Sequence, residues 1–227
     1  VIRKTVIAIE TSTPQASVAW LDAAGLLAEE SFSSDRSHNS GVFGPLGRAL
    51  EGCEPGGVGI LLVGTGPGSY SGVRIGIAAA QGVGMVHGCA VAGVPSMLGT
   101  AAARAGGRWL AVGDARRGLW YVAVVADGRL EAAPELLDAD GFGARVAAGF
   151  AAGEGVFSLD EVGQLGLEAG LAGRVVREWP RAAHVLEAWE SWDEVERARW
   201  LGEAPQPVYL REAFISVAKR GHPLKRG

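Results

Sequence analysis

Cysteine is nearly absent from these 227 residues, with Cys53 and Cys89 as the whole complement. Two thiols so far apart exclude a disulfide framework and a metal knuckle, and they fit a reducing compartment. Histidine is scarce too. His38, His87, His184 and His222 fall in no ligand-like spacing, so no metal site is expected. Basic charge is in slight deficit, 21 Lys and Arg against 25 Asp and Glu, for a formal net charge of -4. That balance speaks against a dedicated nucleic-acid binder, which carries a basic footprint over the domain. No apolar run suits a membrane: residues 75–98 are interrupted by Gln81, His87 and several glycines. The opening VIRKTVIAIETS lacks the length and cleavage pattern of a signal peptide. The expectation is a cytoplasmic protein. Neither a G-x-x-x-x-G-K-[ST] loop nor a G-x-S-x-G elbow occurs, so a P-loop nucleotide site and a serine-hydrolase nucleophile lack support.

Glycine, by contrast, is abundant. The 35 glycines are about double the usual ~7% share. They concentrate around Val58–Gly88, which reads as a buried strand, a tight turn with glycines at 64, 66 and 68, and a long helix. In that helix Gly72, Gly76, Ala80, Gly84 and Gly88 recur every fourth residue and form one stripe almost without side chains. Each helical glycine costs about 1 kcal/mol against alanine. The stripe therefore predicts very close packing, either on the protein's own sheet or against another helix. A partner interface over Gly72, Arg74, Gly76, Ala80, Gly84 and Gly88 is the reading adopted here, with Arg74 placed to pair with a partner acid.

Around this stretch the chain reads as βββαβαβα and then starts again. Strands are expected at Thr5–Glu10, Ala16–Leu21 and Leu26–Phe32, followed by a helix over about 38–51. After the central unit come a strand at Ala90–Val94 and a helix from Pro95 to about Ala105. Trp109–Asp114, Leu119–Ala126 and Arg129–Leu137 then repeat the three-strand opening, with Asp127-Gly128 as a hairpin turn. Helices are expected near 140–152 and 161–169, and one long helix over 181–201 with Val185, Trp189, Trp192 and Val195 on its apolar face. The tail KRGHPLKRG reads as a basic mobile end. Three units follow: a lobe over 1–105, a second over 106–204, and a C-terminal segment over 205–227.

Two strings carry candidate chemistry. IETSTPQASVAW places an acid at a strand end before a hydroxyl-rich turn, an arrangement that can cradle phosphate or instead satisfy its own backbone. GTGPGSYSG leads into a helix N-terminus, which attracts anions. Glu10, Thr11, Ser12 and Asp114 are the candidates for a residual nucleotide or phosphate site between the lobes.

IETSTPQASVAW, GTGPGSYSGVRIGIAAAQG and GDARRGLWY, in this order, with PVYLR near the end, resemble the TsaB (YeaZ) family of tRNA threonylcarbamoyladenosine biosynthesis. The resemblance implies an α/β, actin-like ATPase (ribonuclease H-like) duplicated fold of two βββαβα-type lobes. It also implies a catalytically silent relative of the ligase TsaD. Such a subunit pairs with TsaD and acts with the ATPase TsaE to transfer threonylcarbamoyl to adenosine 37 of tRNAs reading codons that begin with A. ATP is used by that complex, tRNA is reached through it, and the isolated subunit is expected to form a homodimer. Glu10 stands where Asp is usual in the family, and Ser71 where Thr is common. Gly113 and Leu119 stand where a larger apolar residue and an acid are usual, which weakens a nucleotide site. The rival reading is a self-sufficient actin-fold ATPase or small-molecule phosphotransferase that uses Glu10 and Asp114; a peptidase lacks any supporting constellation.

Overall fold

The computed structural model describes residues 4–33 and 39–210. Strand β1 (Thr5–Glu10) lies at the centre of the first sheet because Ile7, Ala8 and Ile9 are all fully buried, so both of its faces are covered. It pairs antiparallel with β2 (Gln15–Leu21) and parallel with β4 (Val58–Gly64). With β3 (Leu27–Ser33) and β5 (Ala90–Val94) the sheet order is β3-β2-β1-β4-β5. The second sheet repeats this plan. Its β6 (Arg108–Asp114) pairs antiparallel with β7 (Trp120–Ala126) and parallel with β10 (Gly155–Ser158). On one side β10 is followed by β11 (Val176–Arg177); on the other, β7 pairs with β8 (Arg129–Leu130) and β9 (Glu135–Leu137). The chain is thus a duplicated α/β fold, as the repeated three-strand opening predicts, with the actin-like plan that the family resemblance implies.

Alternation along the strands sorts residues into three cores. Ile7, Ile9, Leu61 and Val63 face α1 (Phe43–Ala49) and α2 (Tyr70–His87). Leu110, Val112 and Val156 pack with Phe142 and Val146 of α4 (Ala139–Ala151). Between the sheets, Ala8, Ala19, Ala92, Ala111 and Ala123 join one cluster with Phe157, Val185 and Trp189. These small side chains let a helix, α6 (Ala182–Ser191), lie across β1 and β2 although it follows the second sheet in sequence.

Several elements are shorter than the sequence predicts. The expected long helix over 181–201 is two: α6 ends at Ser191, and the Asp193 side chain accepts from the Glu196 amide at 2.9 Å to cap α7 (Glu194–Leu201). The break directs Val195 into solvent, whereas Trp189 and Trp192 stay buried. The helix expected near 161–169 becomes a 3-10 turn at Val162–Gln164 and the short α5 (Ala169–Ala172). The segment after β5 likewise opens as a 3-10 turn at Ser96–Gly99 before α3 (Ala101–Arg104). The Asp127-Gly128 turn forms as read, with both residues in the left-handed region. His38 and the basic tail lie outside the described residues.

Candidate functional site

Helix α2 begins at Ser69, whose hydroxyl accepts from the Gly72 amide, and ends at Gly88, whose left-handed backbone caps the last turn. Its glycine stripe turns inward. Gly72, Gly76, Ala80 and Gly84 are buried. A Cβ on Gly76 would overlap the Thr11 hydroxyl and reach Val63 at 3.4 Å, and one on Gly84 would stand 2.6 Å from Val91. The Thr11 hydroxyl donates to the Gly72 carbonyl at 2.8 Å, tying the helix to the end of β1. Close packing was legible, but its object is the protein's own sheet. Gly72, Gly76, Ala80 and Gly84 therefore leave the predicted partner interface, and Gly88 is a helix cap.

The next stripe of the same helix is half-buried, with Ala78 and Gly82 exposed and Ile75, Ala79 and Val83 partly covered. These five residues face Phe43, Leu46 and Gly47 of α1 and its C-cap Leu50 across a groove of about 670 Å³ with no charged residue in its lining. A Cβ on Gly47 or Gly82 would meet nothing within 4 Å, so the rim is smooth enough for another helix to approach closely. Phe43, 59% exposed, extends the apolar lining of the groove to the surface.

The second candidate region is a cleft of about 680 Å³ between the lobes. Ser12 and Asp114 line it, along with the loop before α2, Tyr121, Asp160 and the segment from Pro207 to Leu210. Glu10 and Thr11 are not in its lining, contrary to expectation. Glu10 is fully buried beside Gly64, where a Cβ would overlap its carboxylate. Its Oε1 accepts from the Ser12 amide at 2.7 Å, while Oε2 has no well-formed hydrogen bond. Burial, only partly offset by the Ser12 and Ser96 groups around it, raises this carboxyl above the usual carboxylate range. Asp114 is engaged locally: Oδ1 accepts from the Arg116 amide at 2.6 Å and Oδ2 pairs with the Arg116 guanidinium at 3.0 Å. Asp160 accepts from the Asp114 amide at 2.9 Å and is likewise raised, by burial first and by the Asp114 charge. At Gly113 the Tyr121 ring and the Asp160 carboxylate fill the space a larger residue would need.

The raised Glu10 has a measurable consequence. The folded chain holds its proton more tightly than the unfolded chain, so the stability it contributes is full below the ordinary value of 4.5 and is lost as pH rises through the raised value. Glu10→Gln is expected to remove this part of the pH dependence and to leave the urea midpoint at pH 7 unchanged or higher. A lower midpoint at pH 7 would mean that the charged form supports the fold.

Comparison with solved structures places this geometry. A Pseudomonas aeruginosa structure titled YeaZ is 25% identical over 91% of this chain and 100% of its own, with a TM-score of 0.67. In sequence and in fold the chain is similar to YeaZ. A second P. aeruginosa structure, described as an uncharacterized protein with similarity to peptidase YEAZ, is 26% identical over 92% of this chain and 100% of its own, with a TM-score of 0.68. A family model described as TsaD, tRNA N6-adenosine threonylcarbamoyltransferase, matches residues 36–147. No curated protein matches. In this YeaZ-like chain the matched stretch holds the α1–α2 groove, the loop before α2 and the ARRG turn. Sequence reading missed the groove. Its signal was present in Ile75, Ala79 and Val83, a four-residue repeat one position before the glycine stripe, and in Phe43, Gly47 and Leu50 on α1.

Proposed function

We propose that this chain is a non-catalytic scaffold subunit in N6-threonylcarbamoylation of adenosine 37 in tRNAs reading A-starting codons. It docks a TsaD-type transferase through the α1–α2 groove, with TsaE as a further component and ATP consumed by the assembly. The observation that carries the reading is the uncharged groove with its glycine rim on a YeaZ-like fold. An apolar face of this kind is covered by a helix of a partner, and a second copy of the chain covers it when the partner is missing. Gly82 and Gly47 take the role first given to Gly76 and Gly84. The tRNA is reached through the complex, in keeping with the net charge of -4.

The rival, an actin-fold ATPase or phosphotransferase working through Glu10 and Asp114, fits less well. Glu10 lies behind the cleft wall and Asp114 is engaged with Arg116. The deciding assay is threonylcarbamoyl transfer to tRNA from threonylcarbamoyl adenylate, with ATP present, using purified TsaD-type and TsaE-type proteins with and without this chain. Product is expected only when the chain is added, and none from the chain alone. Equal product without it overturns the scaffold role.

A further inference from the structure

The chain from Ala204 to Leu210 belongs to no helix or strand, yet Pro207–Leu210 line the inter-lobe cleft. Four contacts hold it. Pro205 is buried against Gly93, whose added Cβ would stand 3.2 Å from the Pro205 Cβ. The Val208 amide donates to the Thr65 carbonyl at 2.8 Å. The Arg74 guanidinium donates to the Tyr209 hydroxyl at 2.6 Å, while its face lies 4.0 Å from the centroid of the Tyr70 ring. Leu210 adds a half-buried contact with the core between the sheets.

These contacts differ in kind. Pro205 and Pro207 have restricted φ and lose little freedom when seated, so the start of the segment is stiff. The far end rests on one backbone hydrogen bond, on the half-buried Leu210 and on a latch open to water, with Tyr209 51% exposed. Segments with so few buried contacts open with small free energies. We propose that Pro205–Leu210 is a strap along the cleft, anchored at Pro205 and latched by Arg74 on Tyr209. When the latch is released, Val208–Leu210 swing away and open Thr65 and Ser12, which are otherwise buried.

Arg74 also points to the trigger. It precedes Ile75 and lies one helical turn from Ala78, both in the groove lining. A carboxylate at the rim of a docked partner competes with the Tyr209 hydroxyl for the guanidinium, and a charged acceptor wins over a neutral one. This step rests on the docking reading above, whereas the strap and its latch do not.

Hydrogen–deuterium exchange on the intact protein tests both. In Arg74→Ala, and independently in Tyr209→Phe, which removes only the hydroxyl, exchange over residues 205–210 is expected to rise about fivefold to tenfold. Residues 5–10 of the central strand should keep their wild-type protection, which reports an intact fold. Unchanged exchange over 205–210 in both variants overturns the latch. Adding a purified TsaD-type partner to the wild-type protein is then expected to protect residues 75–83 and to speed exchange over 205–210. Protection of 75–83 without faster exchange over 205–210 overturns the trigger. No protection of 75–83 counts against the docking reading itself and leaves the latch result standing.

Discussion

Gly76→Leu is expected to lower the stability of the protein by about 3 kcal/mol or more, read as a fall in the urea midpoint. The added branch has no free space, because its first carbon already overlaps the Thr11 hydroxyl and meets Val63. Overpacking of a closed interior costs about 1–3 kcal/mol even where side chains can shift. Here the hydroxyl is held by its bond to the Gly72 carbonyl, so α2 itself has to lift from β1. Against a total stability of about 5–15 kcal/mol the effect is large. Gly82→Leu is the control. Its Cβ points into open space, and replacing a helical glycine gains up to about 1 kcal/mol of propensity. A stable Gly76→Leu protein would refute the inward packing of the stripe.

Gly82→Glu is expected to weaken docking of a TsaD-type partner about 100-fold or more while the isolated protein stays folded. The substitution places a carboxylate in a groove with no charged lining residue, where docking strips its water and supplies no counter-charge. A 100-fold loss corresponds to about 2.7 kcal/mol, well within the cost of burying an unpaired charge. Calorimetric titration with the purified partner measures it, and sedimentation of the chain alone shows whether the same substitution dissociates a homodimer. Wild-type affinity in a folded Gly82→Glu protein would move the interface away from the α1–α2 face. The pair of variants tests two roles that look alike in sequence: packing on the protein's own sheet at Gly76 and the proposed association at Gly82.

How much could be read beforehand varied with the range of the interaction. β1 and β6 were legible because unbroken apolar runs ending in Glu10 and Asp114 mark strands buried on both faces. The Asp127-Gly128 hairpin was legible because its turn chemistry is local. The helix break before Asp193 was hidden, since the apolar spacing runs on from Trp189 to Val195 and only the Asp193 cap interrupts it. The candidate site was half legible. Ser12 and Asp114 do line the cleft, while Glu10 and Thr11 stand behind it.

By itself, then, the sequence determined the duplicated α/β plan, the place of the central strand–turn–helix unit and the presence of a helix face made for close approach. Those follow from periodicity and turn chemistry, which act over a few residues. The tertiary structure alone decided which face of α2 meets the sheet, because Gly76 and Gly82 differ only in what a distant β1 brings against them. It alone also buried Glu10 away from the cleft, laid α6 on the first sheet and set Tyr209 on Arg74. Each of these joins residues far apart in the chain, and no local pattern records such a meeting.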